Sequence, residues 1–137
     1  MQEQEVIKVL KIDLNFNEKS IKKLKLFSSS LILANKKHNF ISKSTENNIW
    51  QRHILDSAQL VKFIDFKSGS LSDLGSGAGF PGIILAIFNE NKNFHVKLFE
   101  KSPVKRRFLV KMIKDLDLNA EVLTNINDEV LDSDIIV

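Results

Sequence analysis

Apolar positions along the first half of the chain recur with the three-four spacing of a helix. Ile21, Leu24, Phe27 or Ser28, and Leu31 fall on one face, with Lys22, Lys23 and Lys25 turned away. Asn17 or Ser20 suits the N-cap, and the pattern runs to about Lys37. Residues 38–45 (HNFISKST) read as a loop. Thr45 is placed to cap a second helix with the face Ile49, Trp50, His53, Ile54, Ser57, Leu60, Val61 and Ile64. That helix is expected to end before the turn cluster Lys67-Ser68-Gly69-Ser70.

The second half changes period. Short apolar runs at 70–74, 94–99, 120–124 and 134–137 alternate with helical runs at about 82–89 and 103–117. Alternation of this kind predicts βα units and a parallel sheet, so the fold class is α/β. Pro103 suits a first helical turn, where its missing N–H is harmless, with Ser102 as the cap. Val104, Phe108, Leu109, Met112 and Leu116 form that helix's apolar face. The pattern divides the chain into a helical extension, 1–66, and a βα core, 67–137, packed together. The final Asp134-Ile135-Ile136-Val137 reads as a buried strand still in progress, and the expectation is a truncated product or fragment.

Composition narrows the class. With 137 residues, 43% hydrophobic and 27% charged, the chain has the balance of one globular domain. It has no cysteine, which excludes disulfides, thiolate metal sites and a cysteine nucleophile. No apolar run reaches membrane-spanning length, so the expectation is a cytoplasmic protein with neither a membrane nor a metal partner. The formal charge of +3 is uneven: residues 1–60 carry +4 and residues 61–137 carry −1. A basic front half suits a polyanion partner, although 17 lysines against 3 arginines and 12 asparagines also fit AT-rich coding.

The segment Asp73-Leu74-Gly75-Ser76-Gly77-Ala78-Gly79-Phe80-Pro81-Gly82 carries the chemistry. Four of the five glycines lie in eight residues between the first strand and the next helix. Bare backbone there permits close ligand approach, and unpaired N–H groups at the helix start favour an anionic or polar group. Gly77-x-Gly79-x-x-Gly82 satisfies the dinucleotide fingerprint, but it begins two residues late. Asp73 before G-x-G-x-G suits the amino-acid end of S-adenosyl-L-methionine. Glu100, after the second strand, is placed to accept ribose hydroxyls of either cofactor class. A nicotinamide-dependent oxidoreductase therefore stays open at this point.

DLGSGAGFPG, with RHILDS at 52–57 and HNFIS at 38–42 upstream, resembles the RsmG (GidB) family. Lys105-Arg106-Arg107-Phe108-Leu109 is similar to that family's K-R-x-x-F-L region, and the likeness covers about residues 15–137. It implies a class I (Rossmann-like) S-adenosylmethionine-dependent methyltransferase core with an N-terminal helical extension, its sheet incomplete at the C-terminus. It implies methyl transfer to guanine N7 of 16S ribosomal RNA in the small subunit. The implied cofactor contacts are Asp73, Gly75, Ser76, Gly77, Gly79, Phe80, Glu100, Ile126 and Asn127. At Asn127 the family usually carries a glutamate.

Guanine N7 has a lone pair and no proton to lose, so no general base is expected and no residue is assigned as catalytic. Alignment of the two reactants is the expected source of rate, up to roughly ten kcal/mol in ideal cases. Candidate RNA contacts are Asn39, Arg52, His53, Lys105 and Arg106. For Arg52 and His53 the competing reading is packing between the helical part and the core. For Lys105 and Arg106, as for Lys101 and Arg107, it is a solvated helix face. The alternative at the level of function is an inactive remnant that keeps the fold and weak cofactor binding.

Overall fold

Four parallel strands in the order β3-β2-β1-β4 form the sheet. They are β1 (Gly69–Leu74), β2 (Phe94–Phe99), β3 (Ala120–Leu123) and β4 (Ile135–Ile136). The structure, a computed structural model, describes residues 1–125 and 132–137. Register runs from Gly69↔Phe94 to Leu74↔Phe99 and from Val96↔Ala120 to Phe99↔Leu123. The chain steps outward from β1 through β2 to β3, then returns to the other side of β1. Sheets of this kind bind ligands where the order reverses, beyond the carboxyl ends of the strands. The glycine turn leaves β1 at that place.

The helices are α1 (Glu3–Ile12), α2 (Glu18–Asn35), α3 (Lys43–Glu46), α4 (Asp56–Ala58), α5 (Gly82–Phe88) and α6 (Pro103–Asp115). α5 is GIILAIF, apolar all round, and Gly82 to Ile87 are buried, as such a helix requires. The core joins Leu24, Phe27 and Leu31 of α2 to Ile83 and Ile84 of α5, to Leu71, Val96 and Leu98 of the sheet, and to Leu109 and Met112 of α6.

Both predicted caps of the long helices are present. The Asn17 side chain accepts from Ser20 N at 2.8 Å, and Ser102 Oγ accepts from Lys105 N at 3.4 Å. α2 ends at Asn35, two residues early, because Asn35 Oδ1 accepts from the N–H groups of both Phe40 and Ile41 and turns the chain.

Two expectations are corrected. α1 was not anticipated, although Val6, Ile7 and Leu10 sit on one face and are buried. The single helix capped by Thr45 is replaced by α3, with Ser42 at its N-cap, a π-helical turn at Trp50–Leu55, α4, and a 3₁₀ turn at Gln59–Phe63. Thr45 lies inside α3, and its Oγ1 bonds Ser42 O and His53 Nε2. Widened turns of this type cluster at functional sites. Here the turn seats Trp50, Ile54 and Leu55 in the core and leaves Arg52 outside.

Candidate functional site

The glycine turn hangs from the neighbouring strand. The Phe99 carbonyl at the end of β2 accepts from Gly75 N at 2.9 Å and from Ser76 N at 3.0 Å. Gly75 has φ +75°, and a Cβ built there would meet nothing within 4 Å. Its bare face lines a cavity of about 290 Å³ with Phe99, Glu100, Lys101 and Thr124. That is close to the lower end, about 300 Å³, of small-ligand sites.

Glu100 bridges the two sides of the site. Its Oε1 accepts from Gly77 N at 2.8 Å and its Oε2 from Ser102 N at 2.9 Å. Burial pushes its carboxyl up, but the Ser102 and Gly77 donors and the Lys105 charge outweigh that and hold it below the usual range. It is therefore ionised, with backbone interactions from Ser102, Gly77 and Lys101 directed at its oxygens.

Asp73 and Ser76 face inward. Asp73 is 2% exposed, and its Oδ2 accepts from Gly82 N at 3.0 Å. Burial raises its carboxyl to about 6 against the lowering effect of the Gly82 and Ser76 bonds, with Glu100 adding to the rise. Ser76 is 1% exposed, and its Oγ donates to Asp73 O. Neither side chain lines the cavity. Gly82 is required by close packing, since a Cβ there would lie 2.2 Å from Leu98 Cδ2 and 2.6 Å from Asp73 Oδ2.

This corrects the expectation of bare N–H groups at the helix start. The Gly82 N–H is bonded to Asp73, and the Ile83 N–H to Gly79 O at 2.8 Å. A pyrophosphate seated in the dinucleotide manner needs those groups. With them engaged, the turn fits the nicotinamide reading poorly. Gly79 N itself donates to Ser76 O at 2.8 Å, closing the turn.

Phe80 is half-buried and lies behind the turn, not in the cavity. It stacks on the His53 ring at 4.9 Å and 25° and meets Phe27 edge-on at 5.6 Å. His53 Nε2 shares a hydrogen bond with Thr45 Oγ1 at 2.9 Å. Burial lowers the His53 ring's proton affinity, against a raising effect of Asp56. His53 thus joins the helical part to the glycine turn.

Arg106 is also turned inward. Its Nη1 donates to Glu100 O at 3.3 Å and to Lys101 O, fastening the turn after β2. Asn39 and Arg52 are exposed, and Lys105 is half-buried beside Glu100. Ile126 and Asn127 lie outside the described residues. Sequence reasoning missed Phe99 and Thr124. Their signal was position: in a parallel sheet every strand ends on the same edge, so Gly75, Glu100 and Thr124, each just past a strand, converge.

Residues 20–137 match the profile of the GidB family, described as rRNA small subunit methyltransferase G. The chain belongs to this family. It is 50% identical over 102 residues to the ribosomal RNA small subunit methyltransferase G of Pelagibacter ubique, covering 72% of this chain and 48% of that protein. The Rickettsia felis protein of the same name is 45% identical over 103 residues, covering 75% of this chain and 52% of that one. That of Orientia tsutsugamushi is 39% identical over 122 residues, covering 89% and 60%. The chain thus spans about half the length of the curated relatives it matches. Among solved structures, coclaurine N-methyltransferase bound to N-methylheliamine and SAH aligns at TM-score 0.46 and 17% identity, over 90% of this chain and 45% of that one. No described helix is long and apolar enough to cross a membrane, and no described His, Asp and Glu groups gather as a metal site.

Proposed function

We propose that this GidB-family chain takes part in methyl transfer from S-adenosyl-L-methionine to guanine N7 of 16S ribosomal RNA, in the cytoplasm, on the small ribosomal subunit. The observation that carries the reading is the cavity in which an ionised Glu100 faces the bare backbone of Gly75. Relatives at 39–50% identity carry the small-subunit rRNA methyltransferase name.

The residues fit the cofactor. A Cβ at Gly75 would project into open space, so a ligand can lie against the backbone there. The ionised Glu100 carboxylate suits ribose hydroxyl donors, with Lys101 and Thr124 flanking. When bound, S-adenosyl-L-methionine supplies a methyl group on a positively charged sulfur. The chain has no proton to remove from N7. Its work is to hold the pocket rigid, and the two hydrogen bonds accepted by Phe99 O, the Glu100 bridges and the Arg106 clamp do so. Asp73 acts here as a positioning residue that fixes α5 under the turn. We assign RNA contact to the outward groups Asn39, Arg52 and Lys105, and treat the helical part, 1–66, as the layer carrying the first two over the core, 67–137.

Titration calorimetry with S-adenosyl-L-methionine and radiolabel transfer to undermodified 30S particles test this. Binding plus label at a guanine N7 is expected. Absence of binding at millimolar cofactor overturns the cofactor assignment, and binding without transfer favours an inactive remnant.

A further inference from the structure

α6 carries a concentrated positive charge. α6 holds Lys105, Arg106, Arg107, Lys111 and Lys114 against Asp115 alone, a formal +4, while the whole chain carries +3. This basic helix stands in the half of the chain, residues 61–137, whose net charge is −1, so its charge is local and was hidden by the composition of that half.

A groove of about 750 Å³ runs between this helix and β3. It is lined by Arg106, Arg107, Lys111 and Lys114 together with Val110, Val122 and Thr124. Val110 is 54% exposed at the middle of this charged face. Arg107, Lys111 and Lys114 are four and three residues apart, one face of a helix about 10 Å long. Asp115, the one carboxylate in the lining, is paired with Lys111 Nζ at 2.5 Å. Thr124 lines both this groove and the Glu100 cavity.

We infer that this groove is a second RNA-docking surface, which grips the phosphate backbone of the substrate independently of its sequence. The inference rests on the RNA reading above and adds where the strand is held. The described lining contains no aromatic ring, so it has nothing on which bases can stack. What it offers is the Arg107 guanidinium fork and the Lys114 ammonium, with the Lys111 ammonium held by Asp115, groups that suit phosphate oxygens. Contacts of this kind fix position without reading bases. The shared Thr124 sets the groove beside the cofactor cavity, so RNA held here is held near the same end of the sheet.

The test uses the full chain with Arg107→Gln, Lys111→Gln and Lys114→Gln combined, and Lys114→Gln alone. Binding to a 16S-derived RNA and to an unrelated RNA of equal length is followed across a salt series. Calorimetry with S-adenosyl-L-methionine serves as the separate readout. The expected result is affinity lower by roughly tenfold or more for both RNAs, with the log–log salt slope shallower by about 2 to 3 in the triple variant and about 1 in the single one. Cofactor affinity is unchanged. Unaltered RNA affinity and slope, in variants that bind cofactor like the parent, overturn the groove alone. A parent chain that binds cofactor but no RNA overturns the RNA reading and the groove with it. Polyglutamate competing as well as RNA reassigns the groove to an acidic protein and overturns the proposal.

Discussion

Asp73→Asn separates the capping role of this side chain from its charge. The carboxyl is 2% exposed and raised from 3.8 to about 6, chiefly by burial. A raised value means the folded chain disfavours the ionised form more than the unfolded chain does. The contribution is full below pH 4 and is lost as pH climbs through about 6. A rise of about two units corresponds to about 3 kcal/mol between those limits. Asparagine has the same shape, keeps an oxygen to accept from Gly82 N, and does not ionise. The variant is therefore expected to gain about 3 kcal/mol relative to the parent between pH 4 and pH 7.5. Denaturant unfolding of both proteins at four pH values measures this. Asp73→Ala also loses the carboxyl but removes the acceptor and leaves Gly82 N–H unpaired, so it is expected to lie about 1–3 kcal/mol below Asp73→Asn at every pH. A parent-to-Asn difference that stays flat from pH 4 to pH 7.5 refutes the reasoning, because it shows that the carboxylate is not penalised by its surroundings.

Gly75→Ala and Gly82→Ala should fail differently. The first meets no atoms but strains φ at about 1–2 kcal/mol and weakens cofactor binding, read by calorimetry. The second collides with Leu98 and Asp73 and lowers the unfolding free energy by about 1–3 kcal/mol, read by denaturation. Glu100→Gln is expected to weaken S-adenosyl-L-methionine binding at least tenfold and to remove a stability loss that the parent shows as pH falls below about 5. The sign follows from its lowered carboxyl. His53→Phe keeps the ring on Phe80 and should melt near the parent, whereas His53→Ala loses the stack at a cost of about 1 kcal/mol, seen as a lower melting temperature.

The core was the legible part. Alternation of apolar runs with helical runs placed β2 and the starts of α5 and α6 to the residue; the two helix starts are marked by Gly82 after Pro81 and by Pro103 after the capping Ser102. The glycine turn and Glu100 were legible for the same reason: their residue types serve few other purposes. The segment 43–63 was not. Its hydrophobic positions fit one helix, and the widening at Trp50–Leu55 depends on seating Trp50 and Ile54 in the core while His53 reaches Phe80, a tertiary demand with no local mark. Nor does spacing reveal direction. Asp73, Ser76, His53 and Arg106 all sit near the site, yet each spends its polar or aromatic group on the protein itself.

The paired bonds from Gly75 and Ser76 to the carbonyl of Phe99 have a consequence for protein engineering. The curvature of the turn comes from its own glycines and internal bonds and also from the adjacent strand, which supplies the acceptor for the Gly75 and Ser76 N–H groups. A graft of Asp73 to Gly82 onto another scaffold will collapse unless the donor segment ending in Phe99 and Glu100 travels with it in the same register. The transplantable unit is two strands wide.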